Sequence, residues 1–433
     1  MSERKWLILS HGFNMDGRAA SLTITDKIPH LINAEIEPIV LSAVTGKKDT
    51  RFYHHQLLPW GPAGLRFDLR HLIAQQYGRG LFYRISTGFA SLLLSPFILL
   101  ERLICGLQSQ WSWTPAAIFW GYICIKRFNP ELIYSTGGAY SAHWAGYWLK
   151  RMTKKPWIAE IHDPMVFPGT LPKTRNLKFW ANLEGMICRE ADLVWWFTEQ
   201  AMLSAKKRHP ELGDKGKVIL PGAEPPIVSA EYVRDPNCIH IGHFGSLSNV
   251  RTIKGFAEAF LKFKQDSPDS AKVFKIECYG GSIDSHAKLF INENKLNDQF
   301  IEVGRLEYDH KKKISGREQI QIKMQQMDYL LIIHGHTADC AEYIPSKFYD
   351  YLWARRPIIA ITHNNKQFNT LLNKYNSFIA NSNELDSIVQ ALNKIYLIWK
   401  KGLNKKIQLT PIGTVDATNS IINYVNYEIH RSN

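Results

Sequence analysis

Residues 341–361, AEYIPSKFYDYLWARRPIIAI, constrain the fold most, because a turn, a helix, a breaker and a buried strand follow one another directly. Ile344-Pro345-Ser346 reads as a turn into a helix: proline is tolerated at the first helical position, and serine commonly accepts from the free amides there. Phe348, Tyr351 and Leu352 fall at i, i+3 and i+4 and give that helix one apolar face. Arg355 and Arg356 put cations at its carbonyl end, and Pro357 stops it. Residues 357–361, PIIAI, are short, apolar and β-branched, the composition of a strand buried on both faces of a parallel sheet.

Glu342 lies just before that turn and Asp350 inside the helix, with Lys347 between them. A helix start with free N–H groups, a lysine and two flanking carboxylates suits a ligand carrying both phosphates and hydroxyls. The same residues also describe an ordinary α/β helix with an acid before it and a surface aspartate, and spacing does not choose between the two.

The strand-loop-helix rhythm recurs along the chain. Residues 5–10 form an apolar run, followed by HGFNMDGRAAS and then Ile24, Ile28, Leu31 and Ile32 at helical spacing, interrupted by Pro29. Gly12 and Gly17 would let backbone approach a phosphate or an acceptor, with Arg18 as counter-charge, or simply make a tight turn. Residues 36–42 give the next strand, completing a βαβ unit. A strand at 130–136 opens through Gly137 and Gly138 into another helix, and a strand at 156–161 delivers His162 and Asp163 to its carboxyl end, where ligands bind in open parallel sheets. After a proline-bearing linker, residues 238–247 form a strand ending in Gly245-Ser246-Leu247, followed by Arg251 and Lys254. Basic side chains beside such a loop are what a diphosphate requires, although a solvated surface loop has the same composition. Further strands end at Gly280 and Arg305, and residues 327–334 lead into the Glu342 loop. Residues 368–399 read as helical, and residues 414–430 as a last amphipathic helix.

Taken together, these elements resemble the retaining GT-B glycosyltransferases of group 1 (family 4-like), of the bacterial surface-polysaccharide type. The resemblance rests on the Glu-x7-Glu signature and its "iPsK-x-x-E-Y" core, here Glu342, Pro345-Ser346-Lys347 and Asp350, and extends in element order from Lys5 to about Ile361. It implies that Glu342 contacts the donor sugar and Asp350 the nucleotide ribose, with an aspartate one methylene shorter than the family's glutamate. It also implies that Lys254-Gly255 matches the family's Lys-Gly and helps hold the donor diphosphate. The family's arginine is missing at Ser246, and Arg251 is the expected substitute. Residues 130–140 are similar to the family's "D-l-i-y-s-x-g-p-x-y-s" element, with Glu131 at its aspartate and Gly138 where many members have proline. The family often has His-Asp where this chain has His162-Asp163, lining the acceptor side.

The 433 residues exceed one core's usual span, so two domains are expected. They are 1–228, acceptor-binding and Rossmann-like, and 229–410, donor-binding and Rossmann-like, with 411–433 a helix returning to the first. In GT-B these face an interdomain cleft. Lys and Arg number 53 against 39 Asp and Glu, a net +14 that suggests an anionic partner. Part of that excess lies at 51–127, with eight basic residues against only Asp68 and Glu101, interleaved with Trp111, Trp113, Phe119, Trp120 and Tyr122. Around the apolar run 89–100, this reads as an insertion that either lies on a membrane or is buried in the first domain, and it is too short to span. The residues at 6–9 are too few for a secretory apolar region. Six dispersed cysteines without metal spacing read as reduced thiols, and His334 with His336 lacks a third ligand.

The expected protein is a metal-independent glycosyltransferase using a nucleotide sugar, UDP-linked, as substrate and requiring no cofactor. Its acceptor is a glycan or a lipid-linked sugar in cell-envelope polysaccharide synthesis, and transfer retains configuration. It is expected in the cytoplasm, peripheral on the inner, anionic face of the cell membrane, with no nucleic-acid partner. The alternatives are an epimerase of nucleotide sugars on the same fold and a non-catalytic membrane-associated binding protein.

Overall fold

The computed structural model describes residues 4–15, 18–78, 80–169, 171–309, 311, 313–403 and 407–429. The chain forms two compact units, Met1–Pro221 with Thr414–Asn433, and Gly222–Gly413. The division falls ahead of the expected position near 228, because the intervening residues are tied to the second unit. Ala223 pairs with Gly413, its carbonyl accepts from Trp353 Nε1 at 2.7 Å, and the Ile227 amide donates to Gln321 at 3.1 Å.

The first unit is built on seven parallel strands: β1 (Arg4–Leu9), β2 (Ile36–Ala43), β3 (Tyr53–Leu57), β4 (Leu132–Gly137), β5 (Trp157–Ile161), β6 (Leu193–Trp196) and β7 (Gly216–Val218), in the order β3-β2-β1-β4-β5-β6-β7. The second has six: β8 (Ile239–Gly245), β9 (Phe274–Gly280), β10 (Phe300–Gly304), β11 (Tyr329–Ile333), β12 (Ile358–Thr362) and β13 (Phe378–Asn381), ordered β10-β9-β8-β11-β12-β13. Every position of β11 and β12 is buried, as an apolar strand covered by helices on both faces must be. In each sheet the order reverses beside the first strand, between β1 and β4 and between β8 and β11. That reversal opens a crevice at the strands' carboxyl ends, where ligands bind in doubly wound folds.

The helix at Thr414–Glu428 belongs to the first unit. Ala417, Ile421 and Val425 join Trp6, Ile8, Ile24 and Ile28 in one apolar cluster, and Lys217 pairs with Glu428 at 2.9 Å. Pro29 does divide the first helical stretch, into Ala19–Thr25 and Ile28–Asn33, where it occupies the first turn.

Three expectations are corrected. Residues 368–399 are not one helix: β13 separates Lys366–Lys374 from Leu385–Lys400, pairing Ile359 with Phe378 to extend the sheet. The segment 51–127 is not one insertion. It begins with the edge strand β3 and ends in the crossover helix Trp113–Phe128, whose Trp113, Ala116, Ala117 and Cys124 lie in the core. What is added is a pair of helices, Pro62–Tyr77 and Leu81–Ile104.

The second of these also overturns the reading that the apolar run is too short to span. The run lies within a helix of 24 residues, Leu81–Ile104, about 36 Å at 1.5 Å per residue against a hydrocarbon core of about 30 Å. By length and composition it could cross a membrane. Apart from the buried Ile98, its apolar side chains are mostly exposed, Leu92 by 72% and Phe97 by 61%.

Candidate functional site

In the second unit, β8 and β9 end side by side on paired glycines, Gly245 at φ +126° and Gly280 at φ +115°. Side chains are excluded there by more than dihedral strain. A Cβ on Gly280 would sit 2.7 Å from the Gly245 carbonyl oxygen, and one on Gly245 would sit 3.0 Å from Lys347 Nζ. Bare backbone thus faces a lysine ammonium at the sheet's reversal point.

Lys347 opens the helix Lys347–Ala354. Tyr351 fixes that helix against the strand ends, its hydroxyl donating to the Leu331 carbonyl at 3.2 Å and accepting from the Phe244 amide at 3.0 Å. Lys347 Nζ lies 3.3 Å from His243 Nε2. Burial, then the Arg251 charge, lowers the lysine to a pKa of about 7, so an anion placed here would restore its charge. Ser346 departs from expectation. It has helical dihedrals, φ −55° and ψ −35°, and its side chain caps nothing, so the first amides of the helix are not taken up by it.

Glu342 closes the 3₁₀ turn Ala338–Glu342 and is buried. Its loop is strapped from two sides. Asn365 Nδ2 donates to the carbonyls of Cys340 and Tyr343, both at 2.8 Å, and His334 Nε2 donates to the Tyr343 carbonyl at 3.0 Å. Burial lowers His334 to about 4, which keeps it neutral and in that tautomer. Asp350 lies one turn beyond Lys347, half-buried.

The two candidate phosphate cations differ. Lys254 pairs with Glu258 at 2.9 Å and lies over the Phe290 ring. Arg251 has no ion pair among the described residues, and its charge reaches Lys347, His243 and His334. Ser246 is exposed at the strand end, whereas Arg305 is exposed beyond the edge strand β10, two strands from β8. The cysteines are free, but three ligand-type groups meet despite the lack of a sequence motif. Asp235, Cys238 and His240 lie within 4.8 Å at the start of β8, the end opposite the glycines. His240 is committed to Glu277 there at 2.7 Å.

In the first unit a cavity of about 400 Å³ opens at the reversal between β1 and β4, lined by His11, Gly12, Arg18, Gly137, Gly138 and Asp68 among others. Gly17 lies outside the described residues. His11 stacks on Trp113 and shares a hydrogen bond with Ser141 Oγ at 3.1 Å; burial lowers it to about 4. His162 is not free in this cavity. It is buried, with Nε2 donating to Thr136 Oγ1 at 3.2 Å, and Thr136 in turn donates to Glu160 at 2.8 Å. Glu160 also pairs with the buried Lys27 and accepts from the Tyr134 hydroxyl. Asp163 is exposed beside this network.

Sequence reasoning missed His243, Tyr351, Asn365 and Asp68. The first three matter through partners distant in sequence, and only Asp68 carried a signal, as one of two acids in the basic segment.

No protein-family model matches the chain, and no curated protein does. Solved structures do. Sucrose-phosphate synthase from Thermosynechococcus elongatus is 12% identical, with 99% of this chain and 97% of that chain covered and a TM-score of 0.62. TarM is 9% identical over 98% and 99% of the two chains, also with a TM-score of 0.62. The lipopolysaccharide outer core galactosyltransferase WaaB is 9% identical over 97% and 99%, with a TM-score of 0.54. The fold is GT-B. In this GT-B chain each Rossmann-like unit carries its own candidate site at the point where its strand order reverses.

Proposed function

We propose that the protein is a glycosyltransferase that moves a sugar from a UDP-sugar to a glycan or lipid-linked acceptor in cell-envelope polysaccharide synthesis. The observation that carries this reading is Lys347 Nζ held over Gly245, which packs against Gly280, with the charge of Arg251 acting on the same lysine. A donor diphosphate would lie against bare backbone there, and its charge would build up beside two fixed cations and the positive end of helix Lys347–Ala354 as the sugar leaves. Two cations in place give the leaving group its counter-charge without a metal ion. Glu342 orients the sugar through its hydroxyls, and Asp350 takes the ribose. Transfer proceeds with retention, as in the enzymes the signature resembles.

The acceptor enters at the first unit's cavity, beside Gly12, Gly137 and Gly138, with Asp163 at the rim of the same sheet end. The exposed apolar face of helix Leu81–Ile104 supports a cytoplasmic protein lying on the inner face of the cell membrane, where a lipid-linked acceptor is found.

The test is a thermal-shift and hydrolysis screen of the purified protein against UDP-, GDP-, ADP- and dTDP-sugars. Stabilisation and slow hydrolysis by UDP-sugars alone is expected. No stabilisation by any of the four would leave a non-catalytic protein on this fold.

A further inference from the structure

The helical pair in the first unit holds two acids, Asp68 and Glu101, and both are buried. Glu101 is accounted for: its carboxylate accepts from the Ala63 amide and from Trp111 Nε1, both at 2.7 Å, and so joins the helices Pro62–Tyr77 and Leu81–Ile104. Asp68 is not. It is 1% exposed, its Oδ2 has no hydrogen-bond partner among the described residues, and it lines the 400 Å³ cavity. Burial raises Asp68 to about 7, so the group waits for a ligand whose donors would restore its charge, and native proteins seldom leave a buried polar group unpartnered.

The opposite face of the same helix is basic. Arg66 and Arg70, one turn apart, line a second cavity of about 350 Å³ together with Arg102. Phe67, Ser109 and Gln110 line both cavities, so the two adjoin. None of the three arginine side chains has an ion pair or hydrogen bond among the described residues, and the one acid lining their cavity is the committed Glu101. Gathered guanidinium groups without a counter-charge are suited to an anion such as a phosphate. Arg102 also stands on the helix whose Leu99, Leu100, Leu103 and Ile104 are exposed.

We propose that these adjoining cavities form the acceptor site for a sugar carried on a lipid phosphate, with the sugar hydroxyls bonded to Asp68 and the phosphate to Arg66, Arg70 and Arg102. The lipid tail lies along the exposed side of helix Leu81–Ile104. This rests on the transferase reading and adds an acceptor class and its binding residues. The cavity around Asp68 is of a size that takes a small ligand, and a carboxylate accepting from two hydroxyls is satisfied without a protein partner.

The test is direct binding to the full-length protein in detergent micelles, using farnesyl diphosphate and its conjugates with glucose, galactose, N-acetylglucosamine and N-acetylgalactosamine. At least one conjugate is expected to bind. Asp68→Asn should weaken that conjugate about tenfold or more, because an NH2 donor replaces one of the two oxygens that accept from the sugar hydroxyls, with farnesyl diphosphate alone unaffected. The triple variant Arg66→Gln, Arg70→Gln, Arg102→Gln should weaken both probes. The melting temperature of Asp68→Asn should be no lower than the parent's, because no internal bond is lost, whereas a structural aspartate would be missed. The proposal is overturned if no conjugate binds the parent, or if Asp68→Asn binds every conjugate as tightly. UDP binding, measured on the same samples, should be unchanged in all variants; its absence from the parent would count against the transferase reading instead.

Discussion

Lys347 Nζ donates to His243 Nε2 across 3.3 Å. The direction follows from the other ring nitrogen: His243 Nδ1 lies 3.1 Å from the Leu331 carbonyl, which can only accept, so Nδ1 carries the hydrogen and Nε2 the lone pair. Burial and the neighbouring lysine hold His243 neutral, well below its ordinary range. The lysine is thereby aimed over Gly245 by a neutral acceptor, which leaves its charge available to a ligand.

That arrangement predicts proton uptake. Lys347 is lowered from 10.5 to about 7, so near pH 8 it is largely neutral in the folded protein, and a bound diphosphate would draw a proton onto it. Calorimetry of UDP binding at pH 8, in buffers of different ionisation enthalpy, should show uptake that vanishes in Lys347→Met. For the free protein the sign runs the other way. Between about pH 7 and 10.5 the unfolded chain binds the extra proton, so this group's contribution to stability rises with pH and is least favourable below 7. Lys347→Met should therefore melt no lower than the parent at pH 7 while binding UDP more weakly, through the remaining Arg251.

Arg251 and Lys254 should separate on substitution. Lys254 is engaged with Glu258, an exposed helical pair worth about 0.3–0.5 kcal/mol. Arg251→Ala should raise the Kd for UDP by about tenfold or more, the usual scale for a charged hydrogen bond to an anion. Lys254→Ala should change it by less than about threefold. The reverse ranking would favour Lys254 as the main diphosphate cation, as the motif resemblance implies.

Helix Leu81–Ile104 should govern membrane binding. Replacing the exposed Leu92, Leu93 and Phe97 by serine removes apolar surface worth about 1.5–3 kcal/mol each if fully buried in lipid. Sedimentation with vesicles containing anionic lipid should fall steeply, while the melting temperature should hardly change. Unchanged sedimentation would place the membrane contact elsewhere or remove it.

The network behind His162 should be felt as stability. Lys27→Met strands the Glu160 carboxylate in the core, which costs about 3–5 kcal/mol, and a Lys27→Met, Glu160→Leu pair should recover much of it. Burial raises the Glu160 pKa, but Lys27, His162 and Tyr134 outweigh burial and hold it below 4.5. A lowered carboxylate contributes stability above its unfolded pKa and loses it as pH falls through the folded value. His162, lowered mainly by burial, acts in the same sense, so Lys27→Met should flatten acid denaturation followed by circular dichroism.

The fold was legible because parallel strands announce themselves as short runs rich in apolar residues, several of them ending in glycine. The runs 239–245 and 274–280, which end at Gly245 and Gly280, and the apolar run 358–361 needed no partner information to be read. The Glu342 to Asp350 stretch was legible for the same reason, since its turn, helix and strand are all local. What the sequence hid depends on distant partners. His162 looks like a ligand at a strand end, but Thr136 on the neighbouring strand β4, itself bonded to Glu160, draws it inward. Residues 378–381 are too short and mixed to be told from helix until β12 pairs with them. Asp68 stood out only as an acid among arginines, and its isolation is a property of packing.

The central claim is that the second unit holds a nucleotide-sugar donor, with Glu342 on the sugar. The most direct measurement is slow release of UDP from radiolabelled UDP-sugars, comparing the parent with Glu342→Ala in protein shown to be folded by its melting curve. The account predicts release by the parent and its loss in the variant, with UDP itself still bound by both. Undiminished release by Glu342→Ala would contradict it.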